Sequence, residues 1–483
     1  MSVLIIAPWG HPEKWGEANY VIDGVIVKNK CSTIALLTYA IKVKHCEVED
    51  VKVLVVIADT LSASNIANGI RYREVIEKAS KIAQDKLKEF LDIVEAQIGV
   101  SSKELERQFE IFVAPGLGKF GAFTFRGSFD LYYLVFLLKS LSKTYETYKH
   151  GFLEIWLDIT HGVNYMPVLA FTAMLDTLWA LKSCGYNISL RVYNSDPYVG
   201  RGEQLNINEM PYTTVPRTIP QPKLGEGPAK ILEQPHIILA KGYHSLVENT
   251  YFKRLSEGEL RNLVVDLWYA VYYNYPLILL DYVFRKYKEE TLKQLIELAD
   301  KVPEDILRII INALYKLRVT NNIVNTKSIL RNSTSKYRFK VADIAQFLVV
   351  INTVSYMLDK AMNFKKESRP ISLKDIEEFA RRFNEKYNTL APKFISREVH
   401  SLVKSSKGIK ELNKWVRYTK EMAQKISSIE VENGEREKLS KCTYVRYVNE
   451  FVNKGVYDRR KDDRNFIAHS GLTYNDIEIM KIS

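Results

Sequence analysis

The chain opens on short, mostly apolar runs. Val3–Ala7 (VLIIA) and Val51–Ala58 (VKVLVVIA) are short and bounded by turn residues, Pro8-Trp9-Gly10 and Asp59-Thr60. Phe109–Ala114, Glu154–Asp158 (EIWLD) and Asn187–Tyr193 (NISLRVY) repeat the signal. Between these runs the apolar spacing is helical, over Ser32–Lys42, Ile70–Ile98, Phe129–Ser142 and Met166–Ser183. Strands with two apolar faces, alternating with helices, predict a mainly parallel α/β sheet covered on both sides, over residues 1–195. Ligands of such sheets bind beyond the carboxyl ends of the strands.

Residues 196–228 break the pattern. Pro197, Gly200, Gly202, Pro211, Pro216, Pro220, Pro222, Gly225, Gly227 and Pro228 exclude a long helix. Two reversed strands would fit; a linker is the simpler reading. From about Ala229 to the end, residues 229–483, the spacing is helical almost throughout. Leu260–Arg285, Glu289–Leu298, Glu304–Leu317, Ala342–Met362, Leu373–Tyr387, Glu398–Lys404, Ile409–Ser428 and Val445–Lys454 are the expected helices. Asn321–Lys340 is polar and reads as a loop.

Charge sharpens this division. Residues 1–200 carry 21 Lys/Arg and 22 Asp/Glu, a net of −1, while residues 201–483 carry 48 and 35, a net of +13. A basic half suits a polyanion such as nucleic acid, and equally a solvated lysine surface. At 483 residues with 46% apolar content, two or three folded domains are expected. The N-terminus has no basic region ahead of its apolar run, so no secretory signal is read, and no stretch is long enough to span a membrane. Cys31, Cys46, Cys184 and Cys442 are scattered without a CxxC pair. That fits a reducing cytoplasm and offers no zinc site.

Three segments carry candidate chemistry. Leu157-Asp158-Ile159-Thr160-His161-Gly162-Val163-Asn164-Tyr165-Met166-Pro167 lies where a strand ends and a helix begins. Free backbone N–H groups and a helix dipole there suit phosphate, and Thr160, His161 and Asn164 add hydrogen bonds. The same residues also make an ordinary capped turn. Gly116-Leu117-Gly118-Lys119-Phe120-Gly121 has the GxGxxG spacing, but it follows a third strand and lacks the acidic residue about 20 positions on. It reads as a glycine loop rimming a pocket. Arg464-Asn465-Phe466-Ile467-Ala468-His469 supplies an Arg to hold phosphorane charge and a His to move a proton, with no metal needed. On one ideal helix Arg464 and His469 lie about 140° apart, so they share no face. A surface Arg beside a half-buried His is the alternative. The remaining histidines show no metal spacing, and His11 stands out only for its place in the first strand-to-helix loop.

The order of these segments resembles the CARF–HEPN ribonucleases of type III CRISPR defence, in the Csx branch. The strand-end segment LDITHGVNYMP and the terminal RNxxxH carry the resemblance. It implies a Rossmann-like CARF domain over 1–195, a linker over 196–228 and an all-α HEPN domain over 229–483; the region about 280–345 has no counterpart in the resemblance and reads as an inserted helical segment. It implies that Thr160, His161, Gly162 and Asn164 line a cyclic oligoadenylate pocket. By their place in the sheet, Trp9, Gly10 and His11 of the first loop, with Asp59 and Ser62 of the second, lie beside it. It assigns Arg464, Asn465 and His469 to metal-independent cleavage of single-stranded RNA in a homodimer or larger homo-oligomer. It implies no cofactor, with cyclic tetra-adenylate as allosteric activator, and no membrane partner. Two other readings stay open: a sensor without catalysis that binds nucleic acid or a partner, and a ring nuclease whose CARF domain degrades its own messenger.

Overall fold

The computed structural model describes residues 2–148, 151–198 except 184, 204–212, 241–246, 250–330 except 256 and 274, 341–365, 370–387, 391–425 except 408 and 411, 433–454 except 448, 472 and 476–481. These fall into two compact units. One holds residues 1–217, 234–252 and 300–349; the other holds 218–233, 253–299 and 350–483.

The first unit is built on an eight-stranded sheet. Its strands are β1 (Ser2–Trp9), β2 (Ala18–Ile22), β3 (Val25–Asn29), β4 (Val51–Ala58), β5 (Phe109–Ala114), β8 (Leu153–Asp158), β9 (Ile188–Ser195) and β10 (Gln204–Glu209), in the order β3-β2-β10-β9-β8-β1-β4-β5. β9, β8, β1, β4 and β5 are mutually parallel. β1 and β8 are buried at every residue, as strands covered on both faces must be. On one face Val3, Ile5, Ala7 and Trp9 join α1 (Ser32–Lys42) and α2 (Tyr72–Ile98) in a single core. α2 contributes Val75, Ala79, Ala83, Leu87, Phe90, Leu91 and Val94, a stripe at helical spacing. A short α3 (Ser102–Glu106) precedes β5, and α4 (Phe129–Thr147) and α5 (Tyr165–Ser183) pack on the opposite face.

Two parts of this sheet depart from the expected pattern. β2 and β3 form a hairpin between the first strand and α1, turned at Asp23 (φ 48°) and Gly24 (φ 81°). Within 196–228, expected as linker, β10 pairs antiparallel with β9 and parallel with β2. Its alternating burial supplies Leu205 and Ile207 to the core, which a solvated linker would not. The GxGxxG segment is likewise a β-hairpin, β6 (Leu117–Phe120) and β7 (Phe123–Arg126), with Gly121 (φ 57°) at its turn. Ile323–Val324 adds a third strand to it, parallel to β7.

Residues 300–330 were expected in the helical half. They belong instead to the first unit, where the helix Val302–Tyr315 packs on α4 and α2. The chain after it hydrogen-bonds the loop before α2: Gly69 N–H to Val319 O at 2.8 Å and Tyr72 N–H to Leu317 O at 2.9 Å.

The second unit is mainly helical but not all-α. Its helices include Gly258–Tyr272, Glu289–Ala299, Leu373–Tyr387, Ala391–Lys407 and Asn433–Cys442. It also holds a four-stranded antiparallel sheet, ordered Ile371–Ser372, Thr443–Tyr447, Ile477–Lys481 and Val416–Arg417. Thr443–Tyr447 buries alternate residues, a period of two, so the helix expected from Val445 begins only at Asn449. Beside it, buried Asp281 accepts from the Tyr447 backbone N–H at 2.8 Å and from Arg285 at 3.2 Å.

Candidate functional site: the strand-end loops of the parallel sheet

Because β8, β1, β4 and β5 are neighbours and parallel, the turns that follow them lie side by side at one edge of the sheet. Backbone and buried carboxylates tie these turns together. Gly10 donates its N–H to the His161 carbonyl at 2.8 Å. A Cβ on Gly10 would sit 2.8 Å from that same oxygen, so the approach requires glycine. Asp59, fully buried at the end of β4, accepts from Gly116 N–H at 2.7 Å and from the Tyr72 hydroxyl at 2.8 Å. Burial pushes its carboxyl up to about 7, against the pull of those donors. Ser62 closes the same turn by donating to the Asp59 carbonyl at 2.7 Å.

The turn after β8 is latched onto the start of α1. Asp158 is buried and accepts at one oxygen from the hydroxyls of Ser32 and Thr33, both at 2.7 Å. Its other oxygen accepts from Thr160 N–H at 3.0 Å. Trp9 extends the chain of donors, its indole N–H reaching Thr33 Oγ1 at 3.0 Å. His161 Nε2 accepts from the Ser32 backbone N–H at 3.1 Å, in the first turn of α1. The Tyr20 hydroxyl lies 3.2 Å from the same nitrogen, and burial holds that phenol protonated. The imidazole stacks on Trp15, centroids 4.0 Å apart. Burial lowers its pKa to about 4, with Asp158 pulling weakly the other way. With Nε2 occupied as an acceptor, the neutral ring carries its proton on Nδ1.

The sequence-predicted residues therefore converge on one edge but divide into two sets. Trp9, Asp59 and Ser62 have no exposed side-chain surface and hold the loops from below. His161 faces α1, Tyr20 and Trp15. Thr160, Gly162 and His11 are partly exposed and Asn164 is exposed. Thr160 Oγ1 accepts from Ser195 N–H at 3.1 Å, and the His11 ring lies 5.3 Å from Phe120 of the β6–β7 hairpin. Gly162 has a packing reason: a Cβ there would come within 2.5 Å of the Pro167 ring in the first turn of α5.

Sequence reasoning passed over Trp15, Tyr20, Ser32, Thr33 and Tyr165. Tyr165 accepts Leu117 N–H at 3.2 Å and so ties α5 to the glycine hairpin. Ser32-Thr33 at a helix start is the one signal that could have found part of this set. The loops present backbone and neutral polar groups, while the nearby carboxylates of Asp59 and Asp158 are turned inward. That arrangement suits an uncharged base or a phosphate ester better than proton transfer by a carboxylate. Among the described residues no group of three or more His, Cys, Asp or Glu could hold a metal ion. Arg464, Asn465 and His469 lie outside the described residues.

Residues 4–197 match the family described as CRISPR system endoribonuclease Csx1, CARF domain. Over this segment the chain is similar to a Csx1-type CARF domain. The match covers the parallel sheet and all the strand-end turns above. The chain is also 33% identical over 216 residues to the CRISPR system endoribonuclease Csx1 of Methanocaldococcus jannaschii, across 43% of this chain and 40% of that protein. The matched part is thus less than half of that relative's length. Enterococcus italicus Csm6 bound to cyclic hexa-2'-fluoro-hexa-dAMP aligns over 91% of this chain and 98% of its own, at 11% identity and a TM-score of 0.23, a value that supports no fold argument. Among the described residues no helix is long and apolar enough to cross a membrane.

Proposed function

We propose that the protein is a ribonuclease of CRISPR defence, switched on when its CARF domain binds a cyclic oligoadenylate. The observation that carries this reading is the Csx1-type CARF domain, whose polar turns meet at the ligand-binding edge of the sheet. The messenger rests on Thr160, Gly162, Asn164 and His11, with the cyclic tetramer as the expected activator. His161, Asp158 and Asp59 hold the loops in place beneath it.

Cleavage falls to Arg464, Asn465 and His469 in the basic part of the chain. His469 takes the proton from the ribose 2′-hydroxyl or delivers one to the departing 5′-oxygen, and Arg464 balances the charge that grows on the phosphorus oxygens. The 2′-oxygen then attacks phosphorus as the P–O5′ bond breaks, leaving a 2′,3′-cyclic phosphate and a 5′-hydroxyl. Two chains build the cleft together, since Arg464 and His469 cannot share a face of one straight helix. The reaction needs no metal and takes place in the cytoplasm.

The test is cleavage of a labelled single-stranded RNA in EDTA, with and without cyclic tetra- and hexa-adenylate. Stimulation by either ring supports the reading. Cleavage that no cyclic oligoadenylate changes would remove the sensor assignment. Loss of the messenger without RNA cleavage would favour the ring-nuclease alternative.

A further inference from the structure

Within the second unit the helices Leu373–Tyr387, Ala391–Lys407 and Asn433–Cys442 enclose a cleft of about 660 Å³. Lys374, Arg381, Arg436 and Ser396 line it together with Glu377 and Glu378, and Ala380 and Ile395 give it an apolar part. Both carboxylates are already matched. Glu377 accepts from Arg436 at 2.8 Å, and Glu378 pairs with Arg382. Arg436 also donates to Ser396 Oγ at 3.0 Å, so its guanidinium is fixed at the cleft wall. Lys374 lies 3.7 Å from Glu437, a loose ion pair with its side chain 43% exposed. Arg381 is exposed.

We infer that this cleft docks the backbone of the single-stranded RNA substrate. The chemistry it offers is what a nucleotide needs. Lys374, Arg381 and Arg436 meet phosphate, Ser396 supplies a hydrogen bond, and Ala380 and Ile395 lie under the sugar or base. The volume admits a nucleotide or two but no folded duplex. The cleft also lies in the half of the chain that carries the net charge of +13. None of these residues belongs to the Arg464–His469 segment, so the cleft holds substrate rather than cutting it.

The inference rests on the ribonuclease reading, and the experiment separates the two. Binding of a fluorescent single-stranded RNA is measured by anisotropy from 50 to 300 mM salt for the full-length protein and for Lys374→Ala/Arg381→Ala. The remote control Lys293→Ala is measured alongside. Loss of two phosphate contacts weakens binding on the order of tenfold regardless of RNA sequence and flattens the log–log salt slope by about 1.4. In cleavage the double variant raises KM and leaves kcat near that of the parent. Both substituted side chains in the double variant are accessible, so thermal melting stays at the parent value. If the parent binds RNA and the double variant binds it with unchanged affinity and slope, the cleft is not the docking site. If AMP binding falls in the double variant while RNA binding does not, the cleft serves a small phosphorylated ligand instead. If the parent binds no RNA at all, the ribonuclease reading fails and takes this inference with it.

Discussion

Two groups at the sheet edge, the buried Asp59 and the partly buried His161, titrate in opposite directions. His161 is held neutral by burial, which disfavours the charged ring, while its Nε2 accepts the Ser32 N–H. Its folded pKa, about 4, lies below its ordinary value of 6.5. The unfolded chain therefore takes up the proton first, and stability present above pH 6.5 is lost as pH falls toward 4, by roughly 2–3 kcal/mol. Asp59 runs the other way. Its folded pKa of about 7 lies above the ordinary 3.8. Its contribution is full below pH 3.8 and is lost as pH rises through 7, by about 4 kcal/mol. Between pH 4 and 6.5 the two nearly cancel. Asp59→Asn keeps an acceptor for Gly116 N–H and leaves the His161 dependence bare, so its melting temperature climbs steeply from pH 4 to 6.5. His161→Gln keeps an acceptor for Ser32 and leaves the Asp59 dependence, so its melting temperature declines toward pH 7. Thermal denaturation from pH 4 to 8 checks both, and two curves parallel to that of the parent would refute the pairing. None of this was legible in the sequence. Trp9, Asp59 and Ser62 sit at strand ends just as Thr160 and Asn164 do, and only the packing of α1 and α2 decides which side chains turn inward.

At the scale of elements, legibility followed burial. β1, β4 and β8 could be read because their apolar runs show the mark of covered, parallel strands, and β5 and β9, though only partly buried, carry enough apolar residues to be read beside them. The β2–β3 hairpin has one partly solvated face, and its alternation hid among polar residues. Asp23-Gly24 was its signal, since a two-residue turn with positive φ at both positions selects that pair. β10 was masked by the prolines and glycines around it. The two-residue strands of the second unit are too short to carry any period. The helix Val302–Tyr315 was expected, but its docking on α4 is a long-range contact that periodicity does not encode. The hairpin also offers a clean test. Gly24 has open space around it, so a side chain there meets nothing and only its φ of 81° matters. Gly24→Val is expected to destabilise the protein by about 1–2 kcal/mol, whereas Gly24→Asn costs far less because Asn tolerates the left-handed region. Chemical denaturation compares the two, and equal losses would show that space rather than conformation is limiting. Because the hairpin carries Tyr20 to His161, Gly24→Val also loosens the turn after β8.

For the whole molecule, the proposed function assigns sensing to the neutral half and cleavage to the basic half, and so predicts that binding and cleavage fail separately. Asn164 is exposed on the CARF edge and makes none of the contacts that hold the loops. Asn164→Ala is therefore expected to raise the messenger concentration for half-activation about tenfold, with fold and maximal cleavage unchanged. A single lost hydrogen bond to a ligand worth about 1.4 kcal/mol sets that magnitude. His469→Ala or Arg464→Ala does the reverse. Messenger binding stays at the parent value, while RNA cleavage falls by roughly 10²–10⁴-fold, the range for losing a proton-transfer group or a charge-stabilising donor. Reciprocity adds a stricter demand. If the messenger favours the RNA-binding state, RNA must favour the messenger by the same factor, within a coupling of about 1–3 kcal/mol. Messenger titrations of catalytically dead His469→Ala, with and without an RNA it cannot cut, read that factor directly. A 5- to 150-fold tightening by RNA is expected. If RNA leaves messenger affinity unchanged in a protein that still binds both, the two halves are not coupled at the level of substrate binding, and activation must act on the chemical step alone.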